Sequence, residues 1–220
     1  MEQEKILVSD FDGTMTSHDF YRVALEYLPV SAASIWERHE RKEIGLFDAL
    51  AAIFTQLRFS EAQMEVLLKR VELDVGIKKA CNRLLDHGWR LVIASAGCAW
   101  YIEKLLTPLK IEAEIHANPG HFSEQGGLIM ELPVASPYCC RETGIDKTRL
   151  VHAVLDHSIV AFAGDGPPDL APALLVPPSL RFAKGVLAEE LKERGEGFKR
   201  FQSWSEMVNS LLNGYTGDRQ

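Results

Sequence analysis

The sequence predicts an α/β protein with a Rossmann-like parallel-sheet core and an inserted helical unit. Three observations carry this reading. Short apolar runs at residues 6–9 (ILVS), 90–95 (RLVIAS) and 158–163 (SIVAFA) alternate with longer helical patterns, the pattern of parallel strands covered by helices. Two of these runs end in segments rich in Gly and Asp and the third in Ser-Ala-Gly, and open α/β sheets bind ligands beyond the carboxyl ends of their strands. A long stretch, residues 17–74, holds several helical patterns and no convincing strand.

The elements follow in order. Residues 6–9 form the first strand. Inside the inserted stretch, Ser60 and Gln63 have the spacing of a capping box and open a helix toward Arg70. A helix over 77–87 ends at Gly88, a residue suited to a left-handed C-terminal cap, and the strand 90–95 follows. Residues 111–117 and 180–183 are weaker strand candidates. Gly126-Gly127 within 121–132 marks a hairpin. A helix over 147–155 precedes the strand 158–163. Ser203 and Glu206 repeat the capping-box spacing and start a last helix to Leu212, and 214–220 is expected to fray. The expected division is a core of 1–16 and 75–220, a helical cap of 17–74, and a small hairpin insertion, 121–132, in the core.

Composition narrows the function. With 220 residues, 46% hydrophobic and 25% charged, the chain has ample material for a core. A net charge of −7 disfavours wrapping nucleic acid, which needs clustered Lys and Arg. No basic leader with a long apolar stretch opens the chain, and the longest apolar segment, near 91–100, falls short of the ~20 residues of a membrane helix. Neither a membrane nor a nucleic acid is expected as partner. Cys81, Cys98, Cys139 and Cys140 lack C-x-x-C spacing, so reduced thiols in a cytoplasm are expected.

Four features carry chemistry. The first strand ends in Asp10-Phe11-Asp12-Gly13-Thr14. Carboxylates two residues apart on an extended chain face one side, and Gly13 lets the backbone turn and offer N–H groups to an anion. A calcium loop would need further ligands at alternating positions, which Phe11, Met15 and Ser17 do not supply. Ser95-Ala96-Gly97 closes the second strand, where a hydroxyl turn could face an oxyanion. Lys147 opens a helix behind Asp146. Gly164-Asp165-Gly166-Pro167-Pro168-Asp169 leaves a third strand. Taken singly, the last three read equally well as ordinary turns and a solvated lysine. Together they offer a nucleophile, oxygen ligands for a metal, a proton donor and a positive charge, the parts a phosphoryl-transfer site needs. His116 and His121 with Cys139 and Cys140 match no strong zinc template.

This ordered set resembles the haloacid-dehalogenase-like phosphatases, and an insertion directly after the first motif resembles the helical cap of their phosphoserine-phosphatase-like branch. The resemblance covers essentially the whole chain. It implies that Asp10 is the nucleophile and that Asp12 is the general acid and base. It implies Mg²⁺ held by the side chains of Asp10 and Asp165 and the carbonyl of Asp12, with Asp169 close by. Ser95, Lys147 and the N–H groups near Gly13 and Gly97 would hold phosphate. A small phosphorylated metabolite is the implied partner, with His18, Asp19, Phe20 and Tyr21 as candidates for specificity. Asp19, the Cys139-Cys140 pair and residues 181–185 are similar to a methionine-salvage subgroup. Two departures stand out. Pro167-Pro168 stiffen the loop and remove two backbone donors, and 45–57 lacks an arginine for a phosphoserine carboxylate. Phosphoserine phosphatase, phosphotransferase and a non-catalytic phosphometabolite binder are the alternatives.

Overall fold

The computed structural model describes residues 3–214; apart from Gly214, the tail expected to fray lies outside them. Strand β1 (Glu4–Ser9) is followed by the helices α1 (Phe20–Leu25), α2 (Ala33–Glu40), α3 (Leu46–Thr55) and α4 (Glu61–Leu68). Next come α5 (Ile77–Asp86), β2 (Trp89–Cys98), α6 (Ala99–Leu106), β3 (Glu114–Asn118), β4 (Gly120–Phe122) and β5 (Leu128–Met130). The chain continues through β6 (Cys139–Cys140), β7 (Gly144–Ile145), α7 (Lys147–Leu155), β8 (Ser158–Gly164) and α8 (Leu170–Leu175). It ends with β9 (Arg181–Ala183), α9 (Gly185–Glu193), β10 (Lys199–Arg200) and α10 (Trp204–Gly214).

Six strands form one parallel sheet in the order β10-β9-β8-β1-β2-β3. Alternation along the strands explains why they are so uniformly apolar. Leu7, Leu91, Ala161 and Phe182 contribute to one buried cluster, while Ile6, Val8, Val92, Val160 and Phe162 contribute to the other. Both faces are covered, as parallel sheets require. The first cluster continues without a break through Leu50, Ile53, Phe54 and Leu57 of the inserted segment.

The insertion leaves and rejoins the core through paired chain. Thr16 and Leu73 form an antiparallel bridge, Ser17 donates its N–H to Val71 O at 3.1 Å, and Asp74 donates to Met15 O at 3.1 Å. The reciprocal cap at the start of α4 is as expected: Gln63 N–H donates to Ser60 Oγ (3.3 Å) and Ser60 N–H to Gln63 Oε1 (2.9 Å). That helix ends at Leu68, and a tighter turn carries the chain on through Val71. At α10 only half the expected box forms, because Glu206 accepts from Gln202 N–H rather than from Ser203. The glycine pair makes the expected hairpin of β4 and β5, with φ of 86° and 95° at Gly126 and Gly127.

One expectation needs correction. Ser95-Ala96-Gly97 is not a turn: β2 runs on to Cys98, with its register against β3 shifting between Ala94 and Cys98. Asn118 of β3 supports this irregular end by donating to Ala96 O at 2.7 Å. Arg181, noted as a subgroup feature, is structural. Its buried guanidinium donates to Ala173 O (2.8 Å) and Val176 O (3.1 Å) at the end of α8 and to Gly197 O (2.9 Å) between α9 and β10, so it satisfies carbonyls of two segments. No helix among the described residues is long and apolar enough to cross a membrane.

Candidate active site

Parallel pairing of β1 with β8 is what assembles the site. Ser9 lies opposite Ala163, and Asp10 N–H donates to Ala163 O at 2.9 Å. The loops 10–14 and 164–169 therefore leave the same edge side by side. Lys147, the first residue of α7, is buried between them, with Nζ 2.8 Å from Asp10 Oδ1 and 2.6 Å from Asp169 Oδ1. Asp169 is fully buried, and its other oxygen accepts N–H groups from Asp165 and Gly166, both at 3.1 Å. The turn Pro167–Asp169 thus loses nothing to its prolines, since the donors it uses come from the two residues before them.

Thr14 Oγ1 donates to Asp165 Oδ1 at 2.6 Å and ties the two loops together. Gly13 must be glycine: its φ is 71°, and a Cβ there would sit 2.4 Å from Asp165 Oδ2. Asp12 is held at both oxygens, by Phe20 N–H on Oδ1 (3.0 Å) and by the Tyr101 hydroxyl on Oδ2 (2.5 Å).

Charge is crowded here. Oxygens of Asp10, Asp165 and Asp169 lie within 4.8 Å of one another. Burial and the Asp169 carboxylate push Asp10 well above the usual carboxylate range, against the opposing pull of Lys147. Burial and Asp169 likewise push Asp165 up to about 7. Asp12 is pushed up to about 6 by burial, held back by the Tyr101 and Phe20 hydrogen bonds. Burial alone would lower Lys147, but the two carboxylates outweigh it and raise it. Such a cluster of perturbed groups at strand ends is characteristic of functional sites.

A profile of haloacid dehalogenase-like hydrolases matches residues 7–174. The chain belongs to that family. Among similar curated proteins are the 2-hydroxy-3-keto-5-methylthiopentenyl-1-phosphate phosphatases of Brevibacillus brevis and Bacillus velezensis. The first is 22% identical over 96% of each chain, and the second 23% identical over 97% of this chain and 92% of the relative. A substrate-bound phosphoserine phosphatase shares the fold with a TM-score of 0.68 at 14% identity, covering 95% of this chain and 99% of that one. A family hydrolase from Salmonella enterica superposes with a TM-score of 0.72 at 16% identity, covering 99% of this chain and 73% of that one.

The acid cluster offers only oxygen donors, a set that suits a hard cation such as Mg²⁺. The crowding points the same way, because a cation there would favour the ionised carboxylates. Asp10 and Asp165 fit as ligands. Asp169 already receives three donors on its two oxygens, which fits a residue that braces Lys147 and the 165–166 backbone. Among the described residues no other group of three or more His, Cys, Asp or Glu is close enough to hold an ion. His116 instead meets Glu114 at 2.6 Å.

Not every expected residue lies where the motifs suggested. The N–H of Gly13 is donated to Thr16 Oγ1 and that of Gly97 to the buried Ser95 Oγ, both at 3.0 Å, so neither is free for phosphate in this structure. Phe20 contributes its backbone and not its ring, which is fully buried 5.1 Å from Phe54 and 4.7 Å from Tyr101. His18 and Tyr21 line a cleft with Arg22, Trp36 and Arg70, Tyr21 stacking on Trp36 at 3.7 Å. Asp19 accepts from Arg22 Nε at 2.9 Å. Two residues escaped the sequence reading. Thr14 was visible in the motif without a role, whereas Tyr101 has no local signal, since its partner is 89 positions away.

Proposed function

We propose that this hydrolase is a phosphatase that hydrolyses a small phosphate monoester through a covalent phosphoryl group on Asp10, with Mg²⁺ as cofactor. The observation that carries it is the buried Lys147 bridge between Asp10 and Asp169, with Asp165 alongside. An Asp10 oxygen attacks phosphorus while the ester P–O bond breaks, and Asp12 gives its proton to the departing alkoxide. Asp12, now ionised, takes a proton from water as that water attacks phosphorus, breaking the Asp10–phosphorus bond and releasing inorganic phosphate. Lys147 favours the ionised Asp10 before attack and keeps it in place throughout. Bound Mg²⁺ would supply positive charge for the phosphate oxygens. The inserted helices 17–74 act as the cap, with the cleft beside Tyr21 and Trp36 contributing to specificity.

The substrate we infer is an ester without a second strong anion, as the phosphoenol compound named for the Brevibacillus and Bacillus relatives is. Arg22 is already paired with Asp19, Arg38 and Arg41 with Glu43, and Arg70 with Glu26, which leaves α3 and these arginines poorly suited to a phosphoserine carboxylate. The test is turnover of p-nitrophenyl phosphate, phosphoserine and an enol phosphate, with and without Mg²⁺, by wild type and Asp10→Asn. Mg²⁺-dependent release that prefers the enol phosphate and disappears in Asp10→Asn supports the reading. Turnover indifferent to both Mg²⁺ and Asp10 overturns it.

A further inference from the structure

We propose that Tyr101 is the positioning residue for the Asp12 carboxyl, and that position 97 is glycine because the Tyr101 hydroxyl needs the space. The inference rests on the reading of Asp12 as the group that protonates the leaving oxygen. Tyr101 lies in the first turn of α6 and is buried, its ring 4.7 Å from Phe20, 6.0 Å from Phe54 and 6.3 Å from Phe11. This aromatic enclosure aims the hydroxyl at Asp12 Oδ2, 2.5 Å away. With Phe20 N–H on Oδ1 at 3.0 Å, each carboxyl oxygen has one fixed donor, so the plane of the group is set.

The fit depends on the irregular end of β2. A Cβ on Gly97 would lie 1.7 Å from the Tyr101 hydroxyl oxygen and 2.8 Å from Asp12 Oδ2. No other residue leaves room for that hydrogen bond. Gly97 thus serves the acid rather than the phosphate, which accounts for a glycine whose own N–H is turned to Ser95.

In the first step the Asp10 oxygen bonds to phosphorus, the ester P–O bond breaks, and the Asp12 proton goes to the oxygen that leaves. An alkyl ester needs that proton, whereas p-nitrophenolate leaves readily as the anion. The value of kcat/KM reports events through this step. Tyr101→Phe keeps the ring and removes the donor, so it should lower kcat/KM for an alkyl phosphate by roughly 10- to 100-fold and for p-nitrophenyl phosphate by less than about 3-fold. The ratio of the two, taken on one preparation with Mg²⁺, is independent of the fraction folded. Gly97→Ala, which displaces the hydroxyl, should shift the ratio the same way and serves if Tyr101→Phe does not accumulate. In an Asp12→Asn background, Tyr101→Phe should change neither value. Equal losses on both esters, or an unshifted ratio, overturn the assignment of Tyr101 while leaving the phosphatase reading intact. A wild type that turns over neither ester overturns that reading and this one with it.

Discussion

Removing the ammonium of Lys147 exposes how much of the site is held by one charge. Its Nζ lies 2.8 Å from Asp10 and 2.6 Å from Asp169, and lysine and both acids are buried. Lys147→Met keeps most of the aliphatic stem but leaves two buried carboxylates facing each other without compensation. Breaking a buried pair from one side costs about 3–5 kcal/mol. For a chain of this length that lowers Tm by roughly 6–20 °C. The cost has a pH signature. Burial already raises the folded-state pKa of Asp10 against the pull of Lys147, so without Lys147 it rises further above its unfolded value. The penalty is therefore full at high pH and fades as acid protonates Asp10. Circular-dichroism melts in chelator, wild type against Lys147→Met, should show the largest gap near pH 8 and a shrinking gap toward pH 5. A gap that is absent at pH 8, or that widens in acid, would refute the claim that Lys147 compensates these two carboxylates.

Asp10→Asn should abolish turnover, by at least about 10³-fold, while the melting profile keeps a single transition; residual activity within tenfold of wild type counts against Asp10 as nucleophile. Gly13→Ala forces a Cβ against Asp165 at a positive φ, and its Mg²⁺ affinity by isothermal titration calorimetry should fall by roughly tenfold or more, a change of about 1.4 kcal/mol. Ser60→Ala removes one side of the α4 cap and should lower Tm by about 2–4 °C, from a loss of about 1 kcal/mol, with kcat unchanged. Chelation with EDTA should remove activity and phosphate affinity together, both restored by Mg²⁺, because the acid cluster repels phosphate until a cation reverses its sign.

Much of this architecture was legible in the chain because its strands are buried on both faces and bounded by glycine. The first and third expected strands grew by only two and one residues respectively, and α7 spans the expected 147–155. The acid pair, Lys147 and the 164–169 loop come together because three local motifs sit at the ends or starts of elements whose order the parallel sheet dictates. Where reading failed, the deciding contact was distant. Ser95-Ala96-Gly97 looks like a turn by composition, but Asn118 and the shifted pairing with β3 keep it in the sheet. Phe20 looked like a substrate contact by proximity to the acid loop, yet Phe54 and Tyr101 draw its ring into the core. Tyr101 itself could be found only once the fold set the start of α6 beside the loop that follows β1.

The central claim is that Asp10 carries the phosphoryl group during turnover. Enzyme quenched with acid while hydrolysing an excess of p-nitrophenyl phosphate in Mg²⁺, then reduced with borohydride, should yield homoserine at position 10 by peptide mass spectrometry, and only when substrate is present. Turnover that leaves residue 10 unmodified, or a phosphoryl group trapped on another side chain, would contradict it.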